Sequence, residues 1–153
     1  NPERIKELKS HLMFFFTGIS RYSSEIAKKK VENFPNRKKQ LTTMYQMVEE
    51  AITILNSKNT AIDEFGQLLN ESWMLKRNIC DSISTSHIDE IYDAARSVGA
   101  IGGKILGAGG GGFMILFAKP EHQSGIKKRL NDLLYVPFDF EHSGSQIILN
   151  QQT

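Results

Sequence analysis

The sequence predicts an α+β fold, a small sheet of about four strands covered by about five helices. Three observations predict it. Residues 12–16 (Leu-Met-Phe-Phe-Phe) and 113–118 (Phe-Met-Ile-Leu-Phe-Ala) are unbroken apolar runs of strand length. Long segments between and after them carry apolar residues at three- and four-residue steps, the helical period. There is no internal repeat, and at 153 residues and 17.3 kDa the chain has the size of one domain.

The elements follow in order. Residues 12–16, flanked by charged residues on one side and Thr17-Gly18 on the other, form a first strand buried on both faces. From Ser23, the residues Ile26, Ala27, Val31 and Phe34 share one helical side until Pro35 stops the pattern. A second helix spans residues 37–56 on the stripe Leu41, Met44, Val48, Ala51, Ile52 and Leu55. Thr60 with Asp63 three residues on resembles a capping box for a third helix, whose core face is Phe65, Leu68, Leu69, Leu75 and Ile79. Ser86 with Asp89 suggests a cap for a fourth, with Ile88, Ile91, Tyr92, Ala95 and Val98 in one stripe ending at Gly99. After the strand at 113–118, Pro120 opens a helix to about Leu134. Residues 135–141 alternate as a strand that turns at Ser143-Gly144 into 146–149, a terminal hairpin.

Composition excludes several classes. Hydrophobic residues at 40%, charged residues at 24% and four prolines do not describe a collagen-like, disordered or disulfide-scaffold chain. Nineteen basic against seventeen acidic residues leave a net charge of +2, too small to make nucleic acid or an acidic membrane the expected partner. Cys80 is the only cysteine, so no intrachain disulfide forms and a cytoplasmic setting is expected. The longest apolar stretches fall well short of the ~20 residues that span a bilayer. The first residue is Asn1 rather than Met, with a strand soon after, which suggests a domain excised from a longer chain.

The chemistry concentrates in one place. Eight of the twelve glycines lie between Gly99 and Gly112. Glycine lets backbone approach a ligand closely, and successive exposed N–H groups form a nest for an anion such as phosphate, to which Lys104 would add a charge. A flexible linker is the alternative, but Ile101, Ile105 and Leu106 interleave the run, and it enters the strand at Phe113 without a polar spacer. It lacks the Gly-Lys-Ser/Thr order of a Walker loop. Gly107, Gly109 and Gly112 have dinucleotide-fingerprint spacing, but that motif follows a strand and opens a helix, whereas this run is read as following a helix and opening a strand.

The stretch Lys104-Ile105-Leu106-Gly107-Ala108-Gly109-Gly110-Gly111-Gly112-Phe113 resembles the C-terminal glycine motif of the GHMP kinases, the galactokinase, homoserine kinase and mevalonate kinase relatives. Residues 17–25, Trp73-Met74-Leu75-Lys76-Arg77, residues 88–112 and Val136-Pro137-Phe138-Asp139-Phe140 extend the resemblance over essentially the whole chain, toward the branch that phosphorylates heptose 7-phosphate. It implies that residues 1–153 are a GHMP kinase C-terminal domain with a mainly antiparallel sheet, lacking the N-terminal nucleotide-binding domain. It further implies a kinase moving the γ-phosphoryl of ATP, with Mg²⁺, to the anomeric hydroxyl of a heptose 7-phosphate. The catalytic Asp and the Gly-Ser-Ser nucleotide loop of the family belong to the N-terminal domain, and nothing here matches either. No catalytic residue is therefore expected in this chain, and alone it is expected to be inactive.

By the same resemblance, Lys104, Gly107, Ala108, Gly109, Gly110, Gly111 and Gly112 would line the cleft beside the ATP phosphates and the acceptor sugar. Arg21, in the loop after the first strand, and Lys76 would bind the substrate phosphate. For Arg21, Lys76 and Arg77 the alternative is a solvated surface charge, and for Lys104 a bond to a helix C-terminal carbonyl. The cluster Lys28, Lys29, Lys30, Arg37, Lys38 and Lys39 reads as a solvated helix face, and Trp73 as core. His11, His87, His122 and His142 lack metal-ligand spacing, so no protein-bound metal is expected. Two competing readings are a non-catalytic module holding a small phosphorylated metabolite on the Gly-rich loop, and a domain that forms a homodimer through its apolar helices.

Overall fold

The computed structural model describes residues 1–19, 23–141 and 143–147. Their elements are α1 (Pro2–His11), β1 (Leu12–Phe16), α2 (Ser23–Asn33), a 3-10 turn (Phe34–Arg37), α3 (Lys38–Asn56), α4 (Asp63–Arg77), α5 (Ser86–Ser97), β2 (Ala100–Ile105), β3 (Phe113–Ala118), α6 (Pro120–Arg129) and β4 (Leu134–Tyr135). The strands make one antiparallel sheet in the order β2-β3-β1-β4. This is the expected α+β class, with one helix and one strand that periodicity did not reveal.

Helix α1 was not expected because it has no apolar stripe and buries no residue. What starts it is a cap: the Asn1 side chain accepts from the Glu3 N–H, with Pro2 in the first turn. Arg4 then holds it against the body by donating to the carbonyls of Ile54 (2.9 Å) and Thr60 (2.8 Å).

Strand β2 was hidden for a different reason. Residues 100–105 read Ala-Ile-Gly-Gly-Lys-Ile, and glycine in a strand weakens its local signal. The glycines are there because α4 crosses β2 at backbone contact distance. A Cβ on Gly102 would collide with the Gly66 carbonyl and come within 2.9 Å of the Asn70 nitrogen. The glycine run is thus not one loop after a helix: it divides into the end of α5, the strand β2 and a loop of residues 106–112 that joins β2 to β3.

The sheet is covered on both faces, which is why residues 12–16 read as a continuous apolar run. Met13 and Phe15, level with Leu116 and Met114, point into a core with Ile88, Ile91, Tyr92 and Ala95 of α5 and Ile126 of α6. Leu12 and its neighbour Phe117 face the other way, against Ile62, with Leu8, Phe65 and Leu69 packed around them.

Several predicted details shift. Thr60 does not cap α4: its hydroxyl donates to Ser57 Oγ at 2.7 Å, and the N-cap position is Ile62, without a side-chain bond. The cap of α5 is Thr85, one residue before Ser86, whose Oγ1 accepts from the Ile88 N–H. Helix α6 stops at Arg129 rather than near Leu134, and β4 is only Leu134–Tyr135. One further ladder bond forms, from the Val136 N–H to the Phe14 carbonyl at 2.8 Å. Pro137 has no N–H to continue pairing, so residues 136–141 do not form the predicted strand. Of the predicted partner strand, residues 146 and 147 are not in a strand, and residues 148–149 lie outside the described residues.

Candidate functional site

The Gly-rich loop is held at both ends. Where it leaves β2, the Leu106 N–H donates to the Phe113 carbonyl at 2.9 Å. Where it enters β3, the buried Thr17 donates both its N–H (2.8 Å) and its hydroxyl (2.9 Å) to the Gly112 carbonyl. Between these points the Gly110 N–H donates to Ile83 O (2.8 Å) and the Gly112 N–H to Ile19 O (2.7 Å). Behind Thr17, the His87 ring Nε2 lies 3.0 Å from the Thr17 carbonyl. The loop is therefore fixed on the segments that follow β1 and α4, a shape that flexible linkers lack.

These bonds decide which donors remain. The N–H groups of Gly110 and Gly112 are used by the protein and cannot serve a ligand as the sequence suggested. Among the described residues, those of Gly107, Ala108, Gly109 and Gly111 have no protein acceptor. All five loop glycines have positive φ, the backbone that lets consecutive N–H groups line a concave surface. The dinucleotide reading stays excluded, now because the loop follows a strand and enters a strand.

Lys76 is the second component, and it is not a solvated charge. It is 8% exposed, at the end of α4, and its Nζ donates to the carbonyls of Ile105 (3.0 Å) and Gly107 (2.9 Å). One ammonium thus ties the first turn of the loop to α4. Burial, followed by the charges of Lys104 and then Lys30, pushes Lys76 down to about 8 from its ordinary 10.5. Lys104 sits in β2, opposite Ile115, rather than in the loop, and is half-buried. Burial and then Lys30 also lower its pKa. Arg77 is paired with Asp89 at 3.2 Å, and Ser84 donates to the same carboxylate oxygen at 2.7 Å. Arg21 lies outside the described residues.

Trp73 is fully buried beside Tyr92 in the core. Lys28 and Lys29 are exposed as expected of a solvated face, but Lys30 is half-buried, and its charge helps to lower the pKa of Lys76. None of Thr17, Ile83, His87 and Lys30 was a site candidate from the sequence: Thr17 entered only through the segment 17–25 of the family resemblance, His87 as a histidine without metal-ligand spacing, Lys30 as part of a solvated face, and Ile83 had no signal.

A folded-state pKa below the unfolded one means that the unfolded chain binds more protons between the two values, so stability rises with pH in that window. For Lys76 the window is about 8 to 10.5, and Lys104 acts in the same direction. The urea midpoint should therefore rise between pH 8 and pH 10, and Lys76→Met should shrink that rise by removing the larger contribution. An equal rise in the variant would show that Lys76 is not held in the depressed state.

The model of GHMP kinases C terminal matches residues 53–136, from α3 through β4 and including the whole loop. This chain belongs to the GHMP kinases, as their C-terminal domain. The D-glycero-alpha-D-manno-heptose 7-phosphate kinase of Campylobacter jejuni is 33% identical over 138 residues, covering 85% of this chain and 40% of that protein. A mevalonate kinase of Thermococcus gammatolerans is 38% identical over 91 residues, covering 56% of this chain and 26% of the relative. Among solved structures, the Methanococcus jannaschii mevalonate kinase aligns with a TM-score of 0.71 at 22% identity, over 87% of this chain and 41% of that one. This GHMP kinase domain therefore spans between about a quarter and about two fifths of the length of these relatives. Among the described residues no group of three or more His, Cys, Asp or Glu side chains converges, and no helix is long and apolar enough to cross a membrane.

Proposed function

We propose that this chain is the C-terminal half of an ATP-dependent sugar kinase that phosphorylates the anomeric hydroxyl of D-glycero-D-manno-heptose 7-phosphate in the cytoplasm. The observation that carries the reading is the loop at residues 106–112, pinned by Thr17, Ile19, Ile83 and Lys76, while four of its N–H groups meet no protein acceptor among the described residues. Phosphoryl transfer needs little covalent chemistry from the protein: it needs donors held in place around the charge of the phosphates. A rigid row of amides meets that need at no cost in reorganisation. The similarity to a heptose 7-phosphate kinase over 85% of the chain favours that acceptor over mevalonate.

In this reading ATP supplies the γ-phosphoryl and Mg²⁺ arrives with the nucleotide. The catalytic base and the nucleotide loop come from an N-terminal kinase domain. The residues of this chain that would face the phosphates are Gly107, Ala108, Gly109 and Gly111, with Lys104, Lys76 and Arg21 as the cations for the sugar phosphate.

The test is Mg-ATP-dependent phosphorylation of hexoses, heptoses and heptose 7-phosphate, run on this chain and on the chain joined to its N-terminal domain. Transfer to heptose 7-phosphate by the longer protein alone is the expected result. Preference for mevalonate, or no transfer by either folded protein, overturns the assignment.

A further inference from the structure

Pairing within the sheet puts four large apolar side chains in one row at the end nearest the Gly-rich loop. Phe16 of β1 lies directly opposite Phe113 of β3 on one side and Leu134 of β4 on the other. Leu106 continues the β2–β3 ladder one step past Ile105 and Met114, with its N–H bonded to the Phe113 carbonyl. Residues directly opposite one another in an antiparallel pair project to the same side, so Leu106, Phe113, Phe16 and Leu134 share one face. The ring of Phe14, one row behind, stacks on Phe113 with the centroids 4.9 Å apart.

The domain covers this face at one end and leaves it open at the other. Leu8 of α1 and Phe65 and Leu69 of α4 pack around Leu12 and Phe117, at the far end of the same face. In the row itself Leu106 is 37% exposed, Phe113 39% and Leu134 65%, and Phe16 is only half-buried. Scattered single apolar residues on a surface carry no meaning, but these four are neighbours across the whole width of the sheet. A continuous apolar row left in water costs free energy that a mate of like character offsets, and such patches mark surfaces where another body sits.

We propose that this row is the docking surface for the N-terminal kinase domain. Two observations choose that occupant. Leu106 and Phe113 are the residues on either side of 107–112, so whatever covers the row also lies against the loop amides. In the kinase reading, on which the choice of occupant rests, the nucleotide is carried by the other half of the protein, and its phosphates must come within hydrogen-bond distance of those amides. A body seated on the row meets that condition, whereas a second copy of this chain would bring its own loop to the place where the nucleotide is needed. The chain also spans only 40% of the heptose 7-phosphate kinase it resembles, so the greater part of such a protein is available to cover the face.

Hydroxyl-radical footprinting of the chain joined to its N-terminal domain tests this, because it reads the solvent access of individual Leu, Phe, Tyr and Ile side chains without any substitution. Tyr45, 70% exposed, and Ile52 supply the reference, on an apolar stripe of α3 that includes no residue flanking the loop. The expected result is oxidation of Phe113 and Leu134 slowed roughly fivefold below the rates that their exposure in this domain sets, as for the buried centre of an interface, with Tyr45 and Ile52 keeping theirs. Leu134→Glu should raise the oxidation of Phe113 in the longer protein severalfold, since burying a charge without a partner opposes docking. Unslowed oxidation at Phe113 and Leu134, slowing confined to the α3 stripe, or protection of Phe113 that Leu134→Glu leaves intact would overturn the proposal.

Dilution and activity separate the other readings. Protection that disappears as the longer protein is diluted belongs to a second copy of the chain and also overturns the proposal, while protection independent of concentration supports it. Slowed oxidation without phosphoryl transfer to any acceptor would keep the docking surface and remove the kinase reading. Transfer with Phe113 and Leu134 still open to solvent would do the reverse.

Discussion

Gly109→Val should detach the Gly-rich loop and cost the intact enzyme about a hundredfold or more in kcat/KM, since misplacing a positioning element by ~1 Å has effects of that size. Two physical causes act together. Gly109 has φ of 113°, a backbone that side-chain-bearing residues rarely adopt. A Cβ there would also lie 2.8 Å from both the Cα and the carbonyl oxygen of Ile83. That carbonyl is the acceptor of the Gly110 N–H, so the valine pushes the loop off its own anchor. Strain and the lost bond together should remove about 2–4 kcal/mol of stability, or some 4–16 °C in Tm, leaving a folded domain. Calorimetry with steady-state kinetics on the longer protein checks both parts. A folded Gly109→Val enzyme with normal kcat/KM would show that the loop is not at the site.

Gly102→Ala should be the most damaging small substitution in the fold. The added methyl would lie on the backbone of α4, at the Gly66 carbonyl and 2.9 Å from the Asn70 nitrogen, and a main chain cannot step aside as a side-chain tip can. Overpacking a fitted contact costs about 1–3 kcal/mol, and here α4 itself must move away from β2, so the upper end or beyond is expected. Because α4 also carries Lys76 to the loop, the displacement should reach the site. Loop amides should exchange faster, and the hydrogen bonds from Lys76 to Ile105 and Gly107 should lengthen. Thermal denaturation with hydrogen exchange measures both. An unchanged Tm would mean that α4 and β2 are not in backbone contact.

The same pair of glycines explains how far the site was legible. Gly102 and Gly109 stand in one glycine-rich run, yet one allows a helix to cross a strand and the other allows a loop to turn against Ile83. Composition marks both as places where a side chain is unwelcome and says nothing of what would be struck. The strand β2 was lost to that ambiguity, and with it the fact that the loop is a connection between two antiparallel strands. Helix α1 was missed because caps and an arginine hold it rather than a buried stripe, and its capping residues Asn1 and Pro2 were the only local sign.

By itself the sequence determined the class of fold, strands β1 and β3, the main helical stripes and the place of the loop. Each of these follows from forces acting between near neighbours: burial that repeats with the period of a helix or strand, and turn residues that end it. The membership of the family was legible for the same reason, since its glycine motif is continuous in the chain. Only the tertiary structure decided what the lysines do. Lys76 looked like a surface charge on a helix, and it became a buried clamp because α4 lies over β2 and directs its ammonium at two loop carbonyls. The charges of Lys30 and Lys104, 74 residues apart in sequence, both lower the pKa of Lys76 once the chain has folded. Repulsion of that kind depends on distance and burial, which no residue carries with it until the chain has folded.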